Sequence, residues 1–334
     1  MKRVNNIFEK ITTIENLRLA HKNARKGKTH YQEVKQVDKY EDHYLQRLRR
    51  LLLQKTFKNS SYETFKKIDK GKERLIFKLP YFPDRILHHA ILQVIEPIWK
   101  KMMIKDTYQS IKGRGVHQAK KRVEKALRSH KKDERIYCLK LDIHKFYPSI
   151  NNDILFSLIE RKIKDKDVLW LLKEIIYSTQ GVPIGNYLSQ YFGNIYLTYF
   201  DHWIKEKIKI KHYFRYCDDI VIIHADKDYL SYLFTKIEYY LEKNLNLKVK
   251  SNYQVFPIHA RRIDFLGFVF DKYKTYTRKR IARNFKRKVI LFYKYRRGTF
   301  ARAIASYHGW FKNTDSWPLW NKYVTNFKEI KQKI

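Results

Sequence analysis

The chain has 334 residues, 44% of them hydrophobic, and carries 72 Lys and Arg against 33 Asp and Glu, a formal charge of +39. Such an excess goes well beyond what solubility needs and points to a polyanionic partner, nucleic acid first. No apolar run reaches the roughly 18 residues of a membrane span and no N-terminal segment has an apolar centre. The two cysteines, Cys138 and Cys217, lie far apart outside any CxxC pattern, which argues against a disulfide framework or a zinc site. A soluble, cytoplasmic protein with no membrane association is expected.

In chain order, Leu17, Ala20 and Ala24 recur on one face of a basic helix over residues 14–24. A short strand, Leu75-Ile76-Phe77, precedes the Pro80 to Pro83 turn and an amphipathic helix from Asp84, read as its N-cap, to Lys101. The Gly113-Arg114-Gly115 loop leads into a second basic helix near residues 117–130. Over residues 135–143, Ile136, Cys138, Lys140 and Asp142 alternate with Tyr137, Leu139, Leu141 and Ile143, the period of a strand that ends at Asp142. Residues 213–224 read as two apolar strands interrupted by Asp218-Asp219, a hairpin with carboxylates at its tip. After the apolar stretch 263–270, residues 272–334 are rich in Lys and Arg, with Asp315 and Glu329 as the acids, and read as a helical, phosphate-facing tail. Adjacent His88 and His89 point in different directions on a helix with no cysteine nearby, so packing explains them better than a metal does.

In so basic a chain, acids held between apolar strands repel one another unless a cation neutralises them. Adjacent antiparallel strands are expected to bring Asp142, Asp218 and Asp219 into one coordination sphere. Two Mg2+ ions about 4 Å apart, with Mn2+ able to substitute, would then serve an in-line displacement at phosphorus.

Tyr216-Cys217-Asp218-Asp219 resembles the YxDD box of reverse transcriptases, and Leu141-Asp142-Ile143-His144-Lys145-Phe146-Tyr147 resembles their other metal-binding motif. The likeness continues through Gly181-Val182-Pro183-Ile184-Gly185-Asn186-Tyr187-Leu188-Ser189-Gln190 and Gly193-Asn194, the substrate-contacting loop and helix of that family. Asp84-Arg85-Ile86-Leu87-His88-His89-Ala90 looks like the fingers-to-palm motif, and Ile263-Asp264-Phe265-Leu266-Gly267 like the strand before the thumb. Within the family, Ile184-Gly185 followed by Ser189-Gln190 resembles the diversity-generating retroelements, where intron-type relatives carry Gln-Gly and Ser-Pro.

The resemblance implies an α+β right-hand polymerase fold with fingers, palm bearing an antiparallel sheet, and helical thumb. Residues 1–60 form a basic helical extension, 61–135 fingers interleaved with palm, 136–272 the palm and 273–334 a basic thumb. It implies catalytic, metal-binding Asp142, Asp218 and Asp219, with the Ile143 carbonyl as a further ligand. Arg74 and Lys70 would grip the dNTP triphosphate, Tyr147 would be the steric gate against a ribose 2′-hydroxyl, and Ile184 and Gly185 would line the nascent pair. Arg114, Arg278, Lys279 and Arg280 would contact nucleic acid. Lys248 and Lys250 lie where relatives carry a lysine proposed as general acid for pyrophosphate, and which of them acts is left open.

The activity implied is RNA-templated DNA synthesis, error-prone at template adenines, with template RNA, RNA/DNA duplex and a small basic accessory variability protein as partners. A conventional reverse transcriptase of intron, retron or phage-defence type would favour Gln at position 184 and Pro at 190, both absent. A non-catalytic RNA-binding scaffold would be marked by loss of a metal carboxylate, and all three are present.

Overall fold

The spacing of Leu17, Ala20 and Ala24 places them on one face of a helix over Ile14–Ala24, where all three are buried. The computed structural model describes residues 3–69, 71–295 and 299–325. Thr13 caps the helix by accepting a hydrogen bond from the Asn16 amide at 3.2 Å. A second helix, Ile86–Met102, packs on it, and the Asn16 side chain bridges the two by donating to the Ala90 carbonyl and accepting from Gln93 Nε2. Asp84 does not cap that helix. It is fully buried and accepts instead from the Ser60 amide at 3.1 Å, because a kinked turn over Tyr81–Arg85 precedes the helix proper.

These helices belong to the first of two units, which comprises Met1–Ile111, Ile143–Lys209 and Glu238–Val249. It also holds an antiparallel hairpin of β1 (Glu63–Asp69) and β2 (Lys72–Lys78). The sequence reading had found part of β2 and missed β1. Both hairpin faces are largely open, with Ile68 76% and Leu75 45% exposed, so no apolar alternation marks the strand. The substrate-loop residues lie against this hairpin: the Phe77 amide donates to the Ile184 carbonyl at 2.8 Å. At Gly185, φ is +132° and a Cβ would stand 2.2 Å from the Phe77 carbonyl oxygen, so the close approach requires glycine.

The second unit comprises Lys112–Asp142, Ile210–Ile237 and Lys250–Ile334. Its antiparallel sheet has the order β4-β5-β3-β6, from β3 (Tyr137–Asp142), β4 (His212–Tyr216), β5 (Asp219–His224) and β6 (Gln254–Pro257). Cys138, Leu139, Leu141 and Ile220 to Ile223 are buried, and this apolar run on central β3 and β5 is what holds polar end residues at a fixed place. The stretch read as one apolar segment is a second antiparallel sheet of β7 (Ile263–Phe265), β8 (Phe268–Phe270) and β9 (Thr275–Thr277). Helices follow over Lys279–Tyr295, Phe300–Phe311 and Trp317–Val324. They close on a cluster of Phe285, Val289, Ile304, Phe311 and Trp320, with the Phe285 and Trp320 rings stacked at 5.1 Å. Burial of each such side chain contributes roughly 1.5–3 kcal/mol.

Candidate active site

The register of the four-stranded sheet sets Asp142, the last residue of β3, directly opposite Asp219, the first of β5. Asp219 also pairs with Tyr216 of β4, so the two-residue turn is Cys217-Asp218 and only Asp218 stands at the hairpin tip. Cys217 takes a left-handed φ of 59°, a conformation that costs a non-glycine residue about 1–2 kcal/mol. Fully buried Arg215 steadies the turn by donating from Nη1 to the Cys217 carbonyl at 3.0 Å. Arg215 was missed from the sequence, although a cation inside the apolar run His212–Tyr216 is the signal that marks it.

The electrostatics of the three acids follow from this placement. Burial, and then the neighbouring Asp142 carboxylate, push Asp218 up to about 7. Burial and Asp142 likewise raise Asp219 to about 6, against the opposing pull of Lys140, whose ammonium is 4.0 Å away. Asp142 Oδ1 and Asp219 Oδ1 are buried without a hydrogen-bond partner. Two carboxylate oxygens without a hydrogen bond and two raised carboxyls show negative charge that the nearby Lys140 and Lys250 do not fully offset, and such a donor set fits a hard divalent cation.

The three acids do not form a single ready cage. Among the described residues no group of three or more His, Cys, Asp or Glu is arranged to hold a metal ion. Instead the Lys250 ammonium contacts Asp142 Oδ2, and the Lys250 amide donates to the Asp142 carbonyl at 2.9 Å. Of the two lysines left open by the sequence, Lys250 is the one on the carboxylate. Lys248 belongs to the first unit, where it lines an open groove with His144, Asn151 and Asn246.

The other expected site residues divide between the units. In the first, buried Ile143 forms a bridge with Val249, and Tyr147 is half-buried with its hydroxyl 3.5 Å from Gln109 Nε2. A Cβ on Gly193 would lie 3.1 Å from the Tyr147 ring, so the bare backbone of the Ser189–His202 helix lets that ring settle against it. Arg74 is exposed on β2, opposite Lys67, while Lys70 lies outside the described residues. In the second unit Arg114 is half-buried in the turn before the Val116–Arg128 helix. Arg278 is committed within the protein, its Nε donating to Asp264 Oδ1 at 2.6 Å. Lys279 and Arg280 are exposed in the first turn of the Lys279–Tyr295 helix, where the helix dipole disfavours cations and a bound phosphate would relieve them.

The family model described as reverse transcriptase (RNA-dependent DNA polymerase) matches residues 60–270, well over half of the chain and the stretch that holds all three acids. The chain belongs to the reverse transcriptase family. Members of that family are RNA-directed DNA polymerases, nucleotidyltransferases by reaction. This reverse transcriptase is 26% identical over 140 residues to Protein YkfC of Escherichia coli (strain K12), covering 39% of the chain and 37% of that protein. It is 22% identical over 108 residues to Nuclear intron maturase 1, mitochondrial, of Arabidopsis thaliana, covering 32% of the chain and 14% of the maturase. Among solved structures it resembles telomerase from Candida tropicalis in complex with a TWJ fragment of telomeric RNA, with a TM-score of 0.50 at 15% identity, covering 70% of this chain and 49% of that one. The Candida albicans telomerase gives the same TM-score at 11% identity, covering 70% of this chain and 51% of the telomerase. The chain thus spans about half the length of these telomerases and less of the curated relatives. The α+β fold expected from the sequence, of the polymerase kind shared by reverse transcriptases and telomerases, is the fold observed. Among the described residues no helix is long and apolar enough to cross a membrane.

Proposed function

We propose that this reverse transcriptase copies RNA into error-bearing complementary DNA as the polymerase of a diversity-generating retroelement. The observation that carries the polymerase reading is the Asp142–Asp219 pair, with its buried, unpartnered oxygens beside Asp218. These three residues would hold divalent cations, Mg2+ with Mn2+ able to substitute. When bound, such ions activate the primer 3′-hydroxyl and balance charge on the departing pyrophosphate. Lys250 holds Asp142 in register for them, and Arg215 fixes the turn that carries Asp218.

Arg74, with Lys70, grips the triphosphate, since a guanidinium fork matches phosphate geometry. Arg114, Lys279 and Arg280 neutralise template and duplex phosphates, and Arg278 acts with them only through its ion pair to Asp264. The domain scheme that goes with this reading is a basic extension to residue 60, fingers to 135, palm to 272 and thumb beyond. Its partners are template RNA, RNA/DNA duplex, dNTPs and a small basic accessory variability protein, in the cytoplasm.

Tyr147 is the proposed sugar gate. Tyr147→Ala is expected to raise the ratio of ribonucleotide to deoxyribonucleotide incorporation roughly tenfold or more, because the ring excludes one hydroxyl by volume. Single-nucleotide extension with each substrate measures it, and an unchanged ratio assigns the selection to another residue.

Ile184 carries the subfamily reading. Its carbonyl is tied to the Phe77 amide, so a substitution changes the side chain while the backbone tie remains available. An aliphatic side chain offers no hydrogen bond that is lost on misalignment, whereas a differential bond of about 1 kcal/mol shifts misincorporation several-fold. Wild-type complementary DNA sequenced from a defined RNA is expected to carry errors concentrated opposite adenine, and Ile184→Gln to lower them several-fold with correct incorporation maintained. An adenine error spectrum that stays the same while yield falls on every template base would mean that Ile184 only packs.

A further inference from the structure

The second unit carries an open cleft of about 640 Å³ that the proposed reaction leaves unused. Ile136, just before β3, lines it. Asp142 ends that strand, so at about 3.3 Å per residue Ile136 and Asp142 are roughly 20 Å apart. One wall is the turn at residues 271–274. Asp271 Oδ1 accepts from the Tyr273 and Lys274 amides at 3.0 and 2.6 Å, and the Lys272 ammonium donates to the Lys131 and Lys132 carbonyls. The turn is therefore pinned to the opposite wall, and it presents Tyr273, 56% exposed, and Lys274 outward.

The acids of the cleft are largely occupied by the protein itself. Glu134 Oε2 is shared by His130 Nδ1 at 3.1 Å and the Lys131 amide at 3.0 Å, and Asp271 serves its turn and lies 3.4 Å from Arg262 Nε. Asp133 is the remaining acid of the lining. Exposed Lys132, Arg135 and Lys274 make no ion pair among the described residues, and Arg262 lies over the Tyr276 ring at 4.7 Å. Cations left over from internal pairing, beside an exposed aromatic ring that the Lys272 ammonium approaches at 5.7 Å, match a ligand that alternates phosphates with flat bases. An acidic protein would satisfy the cations but leaves the exposed ring without a matching surface.

We propose that this cleft binds a single strand of RNA, with its phosphates on Lys132, Arg135 and Lys274 and a base stacked on Tyr273. That the strand is RNA rests on reading the chain as an RNA-templated polymerase; the preference for phosphates alternating with bases does not.

Two full-length variants test it with a mixed-sequence single-stranded RNA of about 20 nucleotides, titrated across a range of KCl. The exposed side chains make folding insensitive to either change. The triple variant Lys132→Gln, Arg135→Gln, Lys274→Gln is expected to bind about tenfold more weakly, with a log–log salt slope shallower by about two, since each phosphate contact on a single strand is worth roughly 0.7. Tyr273→Ala is expected to weaken binding several-fold with the slope unchanged, as removal of a stack releases no counter-ion. Extension of a short primer–template hybrid stays within about twofold of wild type in both. Unchanged RNA affinity in the triple variant overturns the proposal and leaves the cleft to an acidic protein. Loss of short-hybrid extension in step with RNA affinity also overturns it, by assigning the residues to the reacting body. If wild type extended no primer while both binding signatures appeared, the cleft would stand and the polymerase reading would fall.

Discussion

Asp218→Asn should lower primer extension about a thousandfold or more while the protein stays folded and bound to RNA. The substitution keeps the size of the side chain and removes one negative charge from a half-buried set of three. Cation binding at such a site supplies several kcal/mol to the transition state, and each 1.36 kcal/mol is tenfold in rate. The same carboxyl gives a readout independent of turnover. Its folded-state value of about 7 lies above the ordinary 3.8, so its contribution to stability is fully present below about pH 4 and is lost as pH rises through about 7. Asparagine has no such loss. In the absence of divalent ions, the melting temperature of Asp218→Asn minus that of wild type should rise between pH 4 and pH 8, a difference in which titrating groups remote from Asp218 cancel while relief of the neighbouring Asp142 carboxylate adds in the same direction. Mn2+ should stabilise wild type at pH 8 and have far less effect on the variant. Near wild-type extension by Asp218→Asn would remove Asp218 from catalysis, and a flat temperature difference would deny its burial as a charged group. A protein that binds RNA but extends no primer even as wild type would be a scaffold.

How much of this was legible in the sequence depended on whether neighbouring residues or distant ones decide the matter. The burial of Leu17, Ala20 and Ala24, the end of a strand at Asp142 and the hairpin around Asp218 follow from local periodicity and were readable. β1 was missed because an exposed hairpin has no buried face to impose alternation. Asp84 looked like a cap because a cap is a local pattern, yet its partner is Ser60, 24 residues away. Lys250 meets Asp142 across 108 residues, and no periodicity encodes such a pair. Arg278 is quenched by Asp264, so counting cations along the tail overstates the charge offered to phosphates. The candidate carboxylates could be named from sequence, whereas which of Lys248 and Lys250 sits on one of them could not.

Gly185→Ala is expected to have the next largest effect after loss of a carboxylate, for a reason that lies in the backbone. Its φ of +132° is a region that L side chains rarely adopt, at a cost of about 1–3 kcal/mol. The Cβ would also meet the Phe77 carbonyl oxygen at 2.2 Å, and that oxygen belongs to β2, so no flexible side chain can give way. The loop must lift from the hairpin edge, and the 2.8 Å bond from the Phe77 amide to the Ile184 carbonyl, one residue away, is the first to break. Displacing a substrate-positioning group by about 1 Å can cost a hundredfold in rate, so a fall of about that size is expected in extension, with a melting temperature lower by roughly 2–4 °C per kcal/mol. Gly27→Ala supplies the comparison. Its φ is +70°, but a Cβ there meets nothing within 4 Å, so it carries backbone strain without the collision. It should lose some stability and keep near wild-type extension. Equal losses in the two variants would trace the effect to strain alone and detach the Ile184-Gly185 loop from the β2 edge as a functional contact.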